Sequence, residues 1–147
     1  MQRASGEPAL IFPGLAGFYS ATSDLWYPLI RVAAGAILFT HGWVKLHAGV
    51  AAVAGAMTRS GFVPAVGFAY GAIILETVGA VCIVVGLFTR FFAAAIAIEM
   101  ALIAFMVMMP HGWGRMEYTF LWGIIFFAIA LRGGGPWSVD RLIGKEL

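Results

Sequence analysis

One acidic residue, Glu76, lies near the middle of an apolar run from Ala65 to Phe88 that contains no cation. The run has roughly 24 residues and is about 36 Å long as a helix, which is enough to cross a bilayer. A carboxylate at the centre of such a helix costs on the order of 2.5–3.5 kcal/mol on insertion scales. We therefore expect Glu76 to have a partner or to stay protonated, and to mark where function lies.

Two basic residues of the preceding apolar segment lie at depths that Glu76 can reach. Counted from Arg90, Glu76 is 14 residues along its helix; counted from Arg31, Lys45 is also 14 residues along and His41 is 10. These separations correspond to about 21 Å for the first two residues and about 15 Å for His41. The sequence therefore predicts a buried Lys45–Glu76 ion pair, with His41 beside it.

The second acidic residue of the apolar segments, Glu99, is expected to face outward. Five alanines fall on the opposite side of its helix at about 100° per residue, namely Ala93, Ala94, Ala97, Ala101 and Ala104. Small residues mark faces where membrane helices approach closely, so this stripe should pack against neighbours. Glu99 would then contact a membrane partner together with Phe92, Ile103 and Met106, or border a groove. The alternative is a protonated carboxyl group that hydrogen-bonds to its own backbone.

Four apolar segments position these residues, at about 26–46, 65–88, 91–109 and 116–131. They predict an all-α integral membrane four-helix bundle over 26–132. Val50, Val53, Ala54 and Met57 fall at i, i+3, i+4 and i+7, which predicts a short interfacial helix between the first two spans. Residues 1–25 are predicted to form an N-terminal interfacial segment, and residues 133–147 a cytoplasmic tail.

Composition supports a membrane protein and excludes several other classes. Of the 147 residues, 62% are hydrophobic and 11% are charged, whereas soluble domains have about 25% charged residues. The net charge of +2 is scattered, so no nucleic-acid-binding surface is predicted. A single cysteine, Cys82, excludes an internal disulfide and the disulfide-forming membrane oxidoreductases, which need a pair.

The distribution of cations predicts the orientation in the membrane. Six of them fall on the side of the termini, namely Arg3, Arg31, Arg90, Arg132, Arg141 and Lys145. The other side has three, Lys45, Arg59 and Arg115. By the positive-inside rule both termini are expected in the cytoplasm, and the chain in a bacterial inner membrane.

Several short motifs occur in a characteristic order. They are Arg31 followed by His41-Gly42-Trp43-x-Lys45-Leu46, then Glu76-Thr77-x-Gly79-Ala80, Gly86-Leu87-Phe88-Thr89-Arg90, Pro110-His111-Gly112, Glu117-Tyr118 and Gly135-Pro136-Trp137-Ser138-Val139-Asp140. This order resembles the DoxX family of small four-span bacterial membrane proteins, over most of the chain. The resemblance implies a quinone-adjacent membrane subunit, because some relatives are similar to the membrane subunit of a thiosulfate:quinone oxidoreductase.

The polar residues expected on the outer half of the bundle suit a quinone head group. His41, Lys45 and His111 offer hydrogen bonds to quinone carbonyls, and Glu76 would lie at the floor of the site. Histidine also titrates near neutral pH and can carry protons. The three histidines lack the spacing of metal or haem ligands, so no metal site is predicted. The alternative is that these residues cap helices and fix their packing.

Two functions from different classes follow. The first is an integral membrane subunit of a redox or respiratory-type complex, which anchors a partner and contributes to a quinone site. The second is a non-catalytic structural or assembly subunit of a larger membrane protein complex. A small proton-coupled transporter is disfavoured because inverted repeats and broken spans are lacking. Catalysis by the isolated chain is not expected, since the sequence has no nucleophile–base pair, phosphate loop or cofactor fingerprint.

Overall fold

The computed structural model describes residues 10–146 as helices joined by short turns. Arg3 and part of the predicted segment 1–25 lie outside the described residues. Within the described part the helices are α1 (Ala16–Thr22), α2 (Trp26–Ala48), α3 (Val50–Arg59), α4 (Ala65–Val85), α5 (Thr89–His111), α6 (Trp113–Arg132) and α7 (Val139–Ile143). Four of these, α2, α4, α5 and α6, are long and apolar enough to cross a membrane. The predicted all-α membrane-spanning bundle is confirmed.

The spans differ from their predicted bounds mainly where glycines end helices. Gly49, at φ +84°, ends α2 at Ala48, and Gly86, at φ +74°, ends α4 at Val85 rather than at Phe88. Both values lie in the left-handed region, which favours glycine. Because α4 ends early, the turn to α5 comprises residues 86–88, and α5 begins at Thr89.

The helix between the first two spans is present, and its apolar stripe is covered by protein. Val53 and Ala54 of α3 are buried against Ala69 and Ile73 of α4, with Val50 and Met57 packed around them. The stripe predicted for the membrane interface therefore docks α3 onto the first half of α4.

Two of the spans contain a π-helical segment in an otherwise α-helical run. In α4 it covers Leu75–Gly79, and in α5 it covers Ile103–Met108. Such segments are rare in proteins overall, but those that occur often lie at functional sites. The first contains Glu76, and the second begins four residues after Glu99.

The C-terminal tail folds back onto the bundle. Arg90 donates from Nε to Glu146 Oε2 at 2.8 Å, and the Gly134 N–H donates to Glu146 Oε1 at 3.1 Å. The Tyr27 hydroxyl of α2 donates to the Gly133 carbonyl, just after α6 ends. The three-glycine stretch at 133–135 is thus a compact turn that returns α7 to the ends of α2, α4 and α5.

Candidate functional site

The buried acid Glu76 is paired with Lys45 on the neighbouring helix. Lys45 Nζ lies 2.5 Å from Glu76 Oε1, and this contact joins α2 to α4. Glu76 is 2% exposed, while the Lys45 side chain is 29% exposed, so the carboxylate is the deeper partner. These are the two residues that the depth match in the sequence had paired.

Close helix packing makes this contact possible. Gly42 of α2 lies directly against the Glu76 backbone, where any Cβ at position 42 would collide with the Glu76 carbonyl group. The π-helical segment also rearranges backbone hydrogen bonds in this region, and Thr77 Oγ1 donates to the Ile73 carbonyl at 2.5 Å. A small residue on one helix and a locally widened turn on the other therefore set the position of the Glu76 carboxylate.

A cavity of about 260 Å³ opens beside the ion pair, between α2, α4, α5 and α6. Its polar lining consists of His41, Lys45, Glu76, Tyr118, Thr119 and Trp122. Its apolar lining consists of Leu38, Met100, Ile103 and Met108. Glu76 Oε2 is buried and has no hydrogen-bond partner among residues 10–146. The cavity lining therefore combines an ammonium group, a carboxylate with one unpartnered oxygen, an imidazole, two hydroxyl groups and an indole in apolar surroundings.

The fold places the two predicted site histidines, His41 and His111, in different surroundings. His41 lines the cavity next to Lys45, although its residue as a whole is exposed. His111 does not line it: the residue is exposed at the end of α5, with Nδ1 2.8 Å from the Val107 carbonyl oxygen. This separation arises because α5 continues to His111 before Gly112 ends it, so the imidazole stays on its own helix end. Tyr118 and Trp122 of α6, which the sequence had not indicated, line the cavity instead.

Glu99 is buried rather than turned outward, and of the two settings that the sequence left open, a partner contact or a groove, the structure shows a groove. It is 9% exposed, and neither carboxylate oxygen has a hydrogen-bond partner within the described residues. Glu99 borders a groove of about 410 Å³ formed by α3, the loop after α3, α4 and α5. Its surroundings are apolar, and include Phe62, Phe68 and Leu102. We call this the Glu99 groove.

Glu99 is buried because α5 packs on two sides. The alanine stripe faces α6, where Ala97 and Ala101 border the Gly123 backbone. The face that carries Glu99 packs against α4: Phe92 lies on Gly79, and Ile103 packs against the core. Phe92 and Ile103 therefore make contacts within the bundle. Met106, by contrast, is 39% exposed.

A second polar cluster, which sequence reasoning missed, lies at the opposite end of the bundle. Asp140 of α7 is 1% exposed and accepts three hydrogen bonds. The donors are the Phe88 N–H at 2.7 Å, the Thr89 N–H at 2.9 Å and the Thr89 hydroxyl at 2.7 Å. Asp140 thereby caps the N-terminus of α5 from 51 residues away, at the helix end that favours a negative charge.

The buried residue Arg31 lies in the same polar cluster as Asp140. It is 1% exposed and donates to the Ile83 carbonyl at 3.0 Å and to the Trp137 carbonyl at 2.9 Å. It therefore ties α2 to the end of α4 and to the tail. The motifs around Arg31, Gly86 and Asp140 were visible in the sequence, but nothing indicated that they meet. We call Arg31, Thr89, Ser138 and Asp140 the capping cluster.

Among residues 10–146, no three of the side chains that bind metals lie together. In the comparison with known proteins, the DoxX family model matches residues 27–109. Neither the curated proteins nor the solved structures contain a match to this chain. The matched region contains Arg31, Lys45, Glu76 and Glu99, and it covers more than half of the sequence. The chain therefore belongs to the DoxX family.

Proposed function

We propose that this chain is an integral membrane subunit of a redox complex, which anchors a partner protein and contributes a quinone head-group site at the Lys45–Glu76 cavity. The observation that carries the proposal is the free Glu76 Oε2 atom. It is buried without a partner in the described chain, and its residue lines a cavity together with Lys45, His41 and Tyr118. A buried acceptor in this state favours a ligand that supplies a donor.

The lining of the cavity suits the chemistry of a quinone and its quinol. Lys45 has three N–H donors and uses one on Glu76, so others are available to a quinone carbonyl. Glu76 Oε2 can accept from the quinol hydroxyl, and the Trp122 ring offers a flat surface for stacking. Reduction of a quinone takes two electrons and two protons. Here the partner subunit would supply the electrons, and Lys45, Glu76 and His41 would hold and pass protons.

Size restricts the ligand to a head group. A cavity of about 260 Å³ lies just below the range of about 300–1,000 Å³ typical for drug-sized ligands. A single substituted ring is therefore the expected occupant. The isoprenoid tail would leave past the less buried lining residues Met108 and Tyr118, because Leu38 and Met100 belong to the core.

The cellular setting belongs to the same proposal. We place the protein in a bacterial inner membrane with both termini in the cytoplasm, because the cations favour that side by six to three. The capping cluster would then lie at the cytoplasmic end, and the Lys45–Glu76 cavity nearer the outer one. Cysteine accessibility tests this topology: a thiol placed at Gly114 should react with an impermeant reagent in intact cells, and one placed at Gly144 should not.

A quinone titration tests the site. In nanodiscs, a short-tail quinone should quench the Trp122 emission saturably, and a Trp122→Phe variant identifies that contribution among the five tryptophans. Glu76→Gln and Lys45→Met should each weaken binding by about tenfold or more, the size expected for one charge-assisted hydrogen bond. Glu146→Gln is the matched control, because it breaks the exposed pair with Arg90 at the other end. Superimposable titrations for wild type and Glu76→Gln would overturn the site.

A second function, that of a non-catalytic structural subunit, is favoured by one observation. The ion pair lies where α2 and α4 are closest, at Gly42, so it can set the register of the two helices. If this is its only role, the single variants lose stability and the double variant Lys45→Met/Glu76→Gln regains it. Copurification from native membranes, with mass spectrometry of bound proteins and lipids, also distinguishes the redox subunit from the structural subunit. A chain recovered alone would count against both.

A further inference from the structure

The Glu99 groove is a different space from the Lys45–Glu76 cavity, and it contains an acid that forms no hydrogen bond among residues 10–146. Ile103 borders both spaces, and otherwise the two are lined by different residues. The groove is also larger, at about 410 Å³ compared with about 260 Å³. Its lining is apolar except for the Glu99 carboxyl group. An occupant would therefore contact hydrocarbon or aromatic surface over most of its body and meet one acid.

Glu99 is buried without a hydrogen bond in the described part of the chain, although the charges of Lys45 and Glu76 act on it. It is 9% exposed, and both oxygens are without a hydrogen-bond donor across residues 10–146. Burying a carboxyl group in this way is unfavourable unless a donor or an opposite charge reaches it. A ligand with one N–H-bearing cation at the end of an apolar body satisfies both oxygens and fills the groove.

Two aromatic rings favour the same ligand class. Phe62 and Phe68 line the groove and pack edge to face, with ring centroids 4.9 Å apart. Phenylalanine faces attract organic cations, and this attraction grows when water is excluded. A carboxylate and an aromatic pair at one apolar site are complementary in charge to an amphiphilic amine.

The depth of Glu99 in the membrane favours a free amine over the amine of a lipid headgroup as the ligand. Glu99 is ten residues from Thr89 and twelve from His111 along α5, so it lies about 15 Å or more from either end of the helix. The headgroup amine of a bilayer lipid stays at the surface. We propose that the Glu99 groove binds a free lipophilic amine in its protonated form, with Glu99 as its counter-ion.

Binding of decylammonium to the purified full-length protein tests this proposal. The assay uses nanodiscs of phosphatidylcholine, whose headgroup has no N–H donor, and measures the tritiated probe by scintillation proximity. Wild type should bind about one equivalent saturably. Glu99→Gln, which keeps the size and removes the charge, should lose about tenfold or more in affinity. Decanol, the neutral probe of equal length, should bind wild type and Glu99→Gln alike.

A second variant, which fills the groove with a larger side chain, keeps the test valid even if Glu99→Gln does not fold. A Cβ at Gly71, which lines the groove, meets nothing within 4 Å, so Gly71→Leu should fill the groove and leave Glu99 in place. It should abolish saturable decylammonium binding, whereas Gly114→Leu, at another open helical glycine, should not. Equal decylammonium affinity in wild type and Glu99→Gln would overturn the proposal, as would unchanged binding in Gly71→Leu. Quinone titrations on the same variants should match wild type, so failure here is distinguishable from failure of the quinone site.

Discussion

Asp140 and Glu99 are both buried acids in this protein, yet their surroundings are opposite. Asp140 accepts three hydrogen bonds from Phe88 and Thr89, within a cluster that includes the buried Arg31. Glu99 accepts none from the described chain and borders an apolar groove. Glu76 lies between these cases, because Lys45 satisfies one oxygen and the other remains free.

This contrast separates structural from functional acids. Asp140 is fully hydrogen-bonded and fixes the helix ends, whereas Arg31 Nε in the same cluster has no partner among residues 10–146. A buried acid without a partner contributes little to folding and is retained for another reason, such as ligand binding. The capping cluster therefore holds the helix ends together, while Glu76 and Glu99 are the acids to which we assign ligands in the two proposals.

Removing the satisfied acid should have the largest effect on stability. Asp140→Asn takes the charge from the cap of α5 and places an N–H₂ group where two donors now point. We expect a loss of roughly 3–5 kcal/mol in the free energy of unfolding, from two or more charge-assisted hydrogen bonds. Denaturation in detergent, followed by circular dichroism, measures it. Asp24→Asn, at an exposed acid, is the control and should behave like wild type.

Arg31→Met should have the next largest effect. Methionine retains an apolar stem of similar reach but leaves the Ile83 and Trp137 carbonyls without their donor. A loss of about 2–3 kcal/mol is expected. The tail should also become accessible, so limited proteolysis near Trp137 should accelerate in this variant and not in the exposed-arginine control Arg115→Met. Wild-type proteolysis rates would show that the tail does not depend on Arg31.

The half-satisfied pair should give an intermediate result. Lys45→Met leaves Glu76 buried without its cation and should cost about 1–2 kcal/mol, reduced because Lys45 is partly exposed. Adding Glu76→Gln should recover at least half of that loss. Additive losses in the double-mutant cycle would contradict direct coupling of the two side chains.

Removing the unsatisfied acid should have the smallest effect, with the opposite sign. Glu99→Leu replaces a buried, unpaired carboxyl group by an apolar side chain of similar volume. Stability should stay the same or rise by about 1 kcal/mol. The same unfolding assay measures it. A loss comparable to that of Asp140→Asn would show that Glu99 has a structural role and would remove the contrast.

Sequence reasoning succeeded where distances along single helices carry the information. The depth of Glu76 and Lys45 follows approximately from 1.5 Å per residue, because both lie on spans that must align in one bilayer. The four spans follow from apolar length alone. These features are local or one-dimensional, so they need no knowledge of which helix faces which.

It failed where the arrangement of the helices decides the outcome. The orientation of Glu99 was derived by assuming that α5 has one packed face, whereas α4 and α6 both contact it. Asp140 was overlooked because its partners are mostly backbone N–H groups, 51 and 52 residues away, in a turn set by Gly86. The π-helical segments at Glu76 and after Glu99 have no simple sequence pattern.

Photolabelling with a short-tail azidoquinone tests the central claim, the quinone site beside Glu76, most directly. In the purified protein in nanodiscs, mass spectrometry should find the label on the cavity residues Met100, Met108 and Trp122. The yield at these residues should fall by about tenfold in Glu76→Gln and stay unchanged in Glu146→Gln. Label distributed over lipid-facing residues such as Phe127, with equal yield in all three proteins, would contradict a quinone site at the Lys45–Glu76 cavity.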